Sequence, residues 1–244
     1  MTLVPQAQNN LINLGQTNLD PGDFIPPRVK VVQQMSDEAA QEKAKPGDFF
    51  NTLTGENYGK ELRFIPILPF KQRVLLVRSE KRPLIDFALS SVGLLPIADG
   101  DGLKCRSFDT IQGVGDPGVI CETCPLSQWD GNVPPLCTET YNVAALNELG
   151  DLIILGFQKS SAKVGKRLFS MTRLSAGAPW TKTYVAKTHA EKNDKGNFFV
   201  PDVTIEGPTP TELLSVAGQW ARQLGGMVID VTPEEEEAAS TSDF

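Results

Sequence analysis

Hydrophobic and polar positions alternate in short runs broken by Gly, Pro, Asn and Asp, the pattern of a chain built mostly from strands. After Pro26-Pro27, residues 28–32 (RVKVV) predict a first strand. Residues 36–45 (SDEAAQEKAK) predict a short helix or loop opened by Ser36. A hairpin is expected from 48–51 through the turn at 54–57 into 60–68, with Pro66 and Pro69 marking an edge or a bulge. Residues 71–78 (KQRVLLVR) read as another strand, and 83–104 as loop. Residues 140–146 and 152–158 are apolar enough to be buried strands around a turn at 147–151. Residues 160–173 read as a helix with Val164, Leu168 and Met171 on one face. Residues 181–188 (TKTYVAKT) alternate and return through a turn at 193–196 into 198–203. A last helix over 212–224 is expected to open at Thr209 or Thr211 and to stop at Gly225-Gly226. Six to eight short strands with one internal helix and long inserted loops predict a mainly β (α+β) fold, best fitted by an OB-like Greek-key barrel.

Composition adds two things. No apolar run approaches the ~18 residues of a membrane span. The net charge of −7 conceals a division of charge along the chain. Residues 60–82 carry seven bases against Glu61 and Glu80, and 156–195 carry nine against Glu191 and Asp194. Residues 230–244 carry six acids and no base. The expected organisation is a flexible arm at 1–24, a nucleic-acid-binding domain at 25–229 that includes a metal-binding insert at 100–140, and an acidic disordered tail at 230–244.

All four cysteines fall in one stretch, Cys105-x15-Cys121-x2-Cys124-x12-Cys137, among turn-forming glycines and prolines. A segment so poor in apolar residues needs something other than a core to order it. Four thiolates with a Cys-x-x-Cys knuckle suit one structural Zn2+ per chain. An iron–sulfur cluster uses the same donors. Two disulfides would as well, but the chain opens without the cationic start and apolar run of a secretory signal, so a cytoplasmic setting is expected. The single histidine, His189, reads as a surface residue of a Lys-rich hairpin. Nucleotide-binding, hydrolase and metalloprotease motifs and paired metal carboxylates are all lacking, so no enzyme is expected.

Basic and aromatic residues interleave in both cationic tracts, as non-specific binding of a single strand requires. The candidate contacts are Phe70, Lys71, Arg73 and Arg78 in the first tract. In the second they are Lys159, Lys163, Lys166, Arg167, Trp180, Lys182, Tyr184 and Lys187. Trp180 and Tyr184, flanked by Thr and Lys, are expected to be exposed, Phe64 and Phe157 to be core, and one of Phe198 and Phe199 to face out.

The tail has an acidic stem, Glu234, Glu235, Glu236 and Glu237, a small polar spacer, and the tip Asp243-Phe244. It resembles the tails of single-stranded DNA-binding proteins of bacteria and bacteriophages, and the cysteine insert within a basic domain is similar to some phage members. The resemblance implies sequence-independent single-stranded DNA binding in replication, recombination or repair. It also implies a tail that docks replication or recombination proteins and competes with DNA for the groove. The alternative from the residues alone is a zinc-containing adaptor that binds a polymerase and regulates transcription or replication without touching DNA.

Overall fold

The computed structural model describes residues 25–193 and 196–231. The arm at 1–24 and the tail stem and tip lie outside them. The described residues are mainly β with a few helices, and ten strands among them form one mixed sheet. Strand β1 (Arg28–Val31) is followed by α1 (Asp37–Ala40), β2 (Phe49–Asn51) and β3 (Asn57–Gly59). The long β4 (Glu61–Val77) leads into α2 (Arg82–Ser90), β5 (Gly102–Ser107) and β6 (Val114–Gly115). Then come β7 (Thr138–Leu146), β8 (Leu152–Gln158), α3 (Ala162–Leu174), β9 (Lys182–Asn193), β10 (Gly196–Pro208) and α4 (Thr211–Leu224). The sheet order is β10-β9-β4-β7-β8-β1-β2-β3, with β5 on β4 and β6 on β5; β1 and β8 are parallel and the other pairs antiparallel.

β4 joins two strands that the sequence separated at Pro66 and Pro69. Its first residues, Glu61–Phe64, pair with β9, and from Arg73 onward β5 takes that flank. Both prolines fall between, where β4 pairs with β7 alone, and the register shifts between Pro66 and Leu68. A strand bonded on one side can omit an amide donor there.

Alternation along β4, β7 and β8 sorts the two faces of the sheet. One face carries Leu62, Phe64, Tyr141, Val143, Ala145, Ile153, Leu155 and Phe157, which form the main core with Tyr184, Ala186, Val203 and Leu168 of α3. Burial of each large side chain contributes about 1.5–3 kcal/mol. Helix α3 sits close because residue 165 is glycine: a Cβ there would stand 2.7 Å from that of Tyr141 and 2.8 Å from that of Phe157. On the other face, Ala144, Leu146, Ile65 and Ile67 are covered by Ala217 and Leu224 of α4. Helix α4 has no side-chain cap at its N-terminus, so the expected threonine cap does not form.

The far edges of the sheet approach each other. The Gln33 side chain accepts from the Phe199 N–H at 2.8 Å and donates to its carbonyl at 3.0 Å, filling the place of a strand partner. Thr188 Oγ1 donates to the Gly47 carbonyl at 2.6 Å.

Residues 83–104, expected to be loop, contain α2, and the cysteine stretch is not core-less. Ile85, Leu89, Ile97, Cys124 and Leu126 pack on Leu75 and Val77 of β4 as a second small core. Most of these apolar residues, Leu75, Val77, Ile85, Leu89 and Ile97, lie outside the stretch between the cysteines, which is why that stretch alone reads as too polar.

Gly165→Ala is expected to cost about 1–3 kcal/mol by overpacking against Tyr141 and Phe157. Urea denaturation checks it, and an unchanged midpoint would contradict the packing.

Candidate nucleic-acid interface

On the face opposite the main core, most cross-strand neighbours beyond the reach of α4 are polar or small. Gln72 pairs with Thr140 and Val74 with Thr138 across β4 and β7. Thr140 pairs with Gln158 and Asn142 with Gly156 across β7 and β8. Arg28 stands beside Ile154 across the parallel β1–β8 pair. These four strands floor a groove of about 640 Å³. Among the described residues that line it, Arg28, Lys30, Arg78, Lys81 and Lys159 are basic, and Asp101 is the one acid. Phe198 and Phe199 of β10 line it too; Phe198 is 9% exposed and Phe199 half-buried. Gly156 keeps the floor low: a Cβ there would lie 3.1 Å from Asn142 Oδ1. Asn142 is 1% exposed, and its Nδ2 has no hydrogen-bond partner among the described residues.

The two basic tracts do not form one strip. Of the twelve candidate contacts, Arg78 and Lys159 line the groove. Phe70 lies half-buried beside it, in a hollow with Phe108, Met227 and Ile229. Lys71 and Lys166 flank Tyr141 from the α3 side, at 5.6 and 5.7 Å from the ring centre. Lys71 also pairs with Glu139 at 2.8 Å, while Arg73 bonds the Ser127 carbonyl at 3.1 Å. Burial opposes ionisation of Glu139, but the Lys71 hydrogen bond and the Lys71, Arg73 and Lys166 charges hold its carboxyl below the usual range. Lys163 is exposed on α3, and Arg167 is tied to Asp202. Lys182 donates to Ser175 Oγ at 3.2 Å, and Lys187 pairs with Glu61 at 2.8 Å.

Tyr184 is a correction. It is fully buried and stacks on Phe64 at 5.8 Å, so it offers no surface for a base. Thr183 and Lys187 alternate to the other side of β9, and Tyr184 shares its side with buried Ala186. Trp180 is half-buried against the α4 core rather than open. The sequence reading missed Arg28, Lys30 and Lys81 at the groove. Arg28-Val-Lys30 carries the signal, a strand with bases on one face only.

The chain after α4 returns to the groove. Val231 lines it and is 7% exposed. The Gln72 amide donates through Nε2 to the Ile229 carbonyl, and its Oε1 accepts from the Val231 N–H at 3.3 Å. Arg106 of β5 pairs with Asp230 at 2.5 Å. Asp230 and Val231 therefore pack on the body, and the tail proper starts no earlier than residue 232.

Three of the four thiols gather around the second core: Cys124 is part of it, and Cys105 and Cys137 pack against it. Burial raises the Cys105 and Cys124 thiols, against backbone N–H donation from Gly118 to the first and from Leu126 and Ser127 to the second. Burial and the neighbouring thiols push Cys137 up to about 12. Among the described residues, no group of three or more Cys, His, Asp or Glu side chains is placed to hold a metal ion. His189 is on the surface, 3.1 Å from Glu191.

A protein-family model described as Pam3 phage gp34-like protein matches residues 2–80 and 128–227, well over half the chain. The chain belongs to the Pam3 phage gp34-like family. The gp34-like match spans β4, β7, β8 and α4, whereas residues 81–127, with α2 and three of the four cysteines, fall between its two segments. No curated protein and no solved structure matches the chain. No helix among the described residues is long and apolar enough to cross a membrane.

Proposed function

We propose that this phage-family protein binds single-stranded DNA without sequence preference, acting in phage DNA replication, recombination or repair in the host cytoplasm, and that it is not an enzyme. The observation that carries the reading is the groove: a polar floor across β1, β8, β7 and β4, rimmed by five bases and one acid. Such a channel attracts a polyanion and releases its counterions, and it reads no particular base.

The connectivity supports an OB-type barrel. The long β4 is shared between β9 and β7, α3 lies between β8 and β9, and β10 follows β9. In that fold the face of the second and third strands and the loops after the first and fourth strands hold oligonucleotides. Here those are the β7–β8 face, the 78–137 connection with its cysteines, and the β9–β10 turn. Arg78, Lys81 and Lys159 stand at the ends of the floor, and Phe199 is the nearest aromatic with exposed surface.

The acidic tail leaves the body from within this groove, because Val231 lines it. The 13 residues beyond can reach about 43 Å when extended. Their carboxylates thus compete with DNA at a high local concentration, and a bound strand frees the Asp243-Phe244 tip to dock a replication or recombination protein. The four cysteines are the donors for one structural Zn2+, Cys105, Cys121, Cys124 and Cys137 drawing together as thiolates when the ion binds. The support is the Cys-x-x-Cys knuckle, the packing of Cys105, Cys124 and Cys137 at one small core, and backbone N–H donation to the Cys105 and Cys124 sulfurs, which offsets part of the burial that disfavours their charged form.

A second reading, a protein-binding adaptor, is favoured by apolar side chains open to solvent on the connection between β4 and β7: Phe87, Leu95 and Trp129 are 74%, 83% and 67% exposed. Titration of labelled oligo-dT separates the two. Full-length protein is expected to bind it more tightly than duplex, with affinity falling steeply as salt rises. Removing residues 233–244 is expected to strengthen binding most at low salt. Gly156→Val, which raises the floor, is expected to weaken it at least ~10-fold while shifting stability by no more than about 1 kcal/mol. No binding at micromolar protein would move the assignment to the adaptor.

For the metal, elemental analysis is expected to find one zinc per chain, and Cys121→Ser to lower Tm and release it. A metal-free Cys121→Ser protein as stable as the parent would remove the zinc from the account.

A further inference from the structure

The segment that ends the described chain does more than lead to the tail. Residues 229–231 lie across the groove floor at Gln72, which is 2% exposed beneath them. The contact is two-pronged: Gln72 donates to one backbone carbonyl and accepts from a backbone N–H two residues on. A glutamine amide makes the same paired contact with a base edge that offers an acceptor beside a donor. Thymine and adenine both present such an edge when unpaired. The ion pair from Arg106 to Asp230 closes the far side of the segment, and Ile229 tucks into the α4 core. Next to Gln72 on the floor, Asn142 keeps a buried donor with no partner among the described residues. Leaving a buried donor unmade is unfavourable, so a ligand that reaches Asn142 gains by accepting from it.

We propose that residues 229–231 form a strap standing in for a nucleotide, and that a bound single strand displaces it, taking over Gln72 with its bases and reaching Asn142. This rests on the groove being the DNA site. It differs from tail competition in kind. The tail acts through charge and is screened by salt, whereas the strap acts through shape and directed hydrogen bonds at one position. Strap and tail are also joined, since residue 232 follows directly. Displacing the strap moves the root of the tail out of the groove, and a strand that reaches Gln72 thereby releases both.

Hydrogen exchange on the full-length protein tests this, with oligo-dT as the probe. Amides in peptides covering 227–231 are expected to exchange about tenfold faster in the complex than in the free protein. Arg106→Glu, which repels Asp230, is expected to bind oligo-dT about five- to tenfold more tightly even though it removes a positive charge. The swap of Arg106→Glu with Asp230→Arg restores the pair and is expected to return affinity to the starting value. Binding of oligo-dT with 227–231 still protected overturns the strap and leaves the groove reading standing. Weaker binding by Arg106→Glu, not reversed by the swap, does the same. Failure of the parent protein to bind oligo-dT at all overturns the groove reading and the strap with it.

Discussion

The two-residue period of β4, β7 and β8 is the constraint on which the molecule rests. Each strand has a face that must be dry, and the positions between are then obliged to stand on the opposite side. Tyr141, Val143 and Ala145 build the core, so Thr140 and Asn142 are committed to the other surface. A slip of one residue in the β4–β7 register would drive Gln72 and Thr140 into the core, which is too costly to occur. The groove is therefore a consequence of core packing, and its polarity is set by the residues that packing leaves over.

The helices divide that second surface. Helix α4 covers the apolar end at Ala144 and Leu146, and no described helix lies over the polar end, where the strap rests at Gln72. The connection between β4 and β7 supplies Arg78, Lys81 and Leu136 to the rim and, through Arg106, one anchor of the strap. The segment outside the family match thus contacts both the groove and the root of the tail, a position from which it can influence access to the floor.

Much of this was legible in the chain. The buried pair β7–β8, helix α3, the β9–β10 hairpin and α4 were all written in local periodicity, and core positions for Phe64 and Phe157 followed from it. What was not legible depends on distant partners. β4 is one strand because β9, β7 and β5 divide its length, which no window around Pro66 and Pro69 reveals. Helix α2 is held by Leu75 and Val77 of β4, so its own residues look like loop. Tyr184 has polar neighbours, which suggest exposure, but alternation along β9 puts it on the side of buried Ala186. The basic tracts were contiguous in sequence, but Lys71 and Lys166 fall on the α3 side while Arg28 and Lys30, from a different part of the chain, supply the groove. Charge density along a sequence does not say which face of a sheet receives it.

Photo-crosslinking of oligo-dT to the full-length protein, read by mass spectrometry of the adducts, tests the central claim most directly. The account predicts adducts in 28–30, 72–78, 138–142, 156–161 and at Phe199, the strands and rim of one face. Adducts confined to α3 and its neighbours Lys71 and Lys166, or spread evenly over the surface, would contradict it.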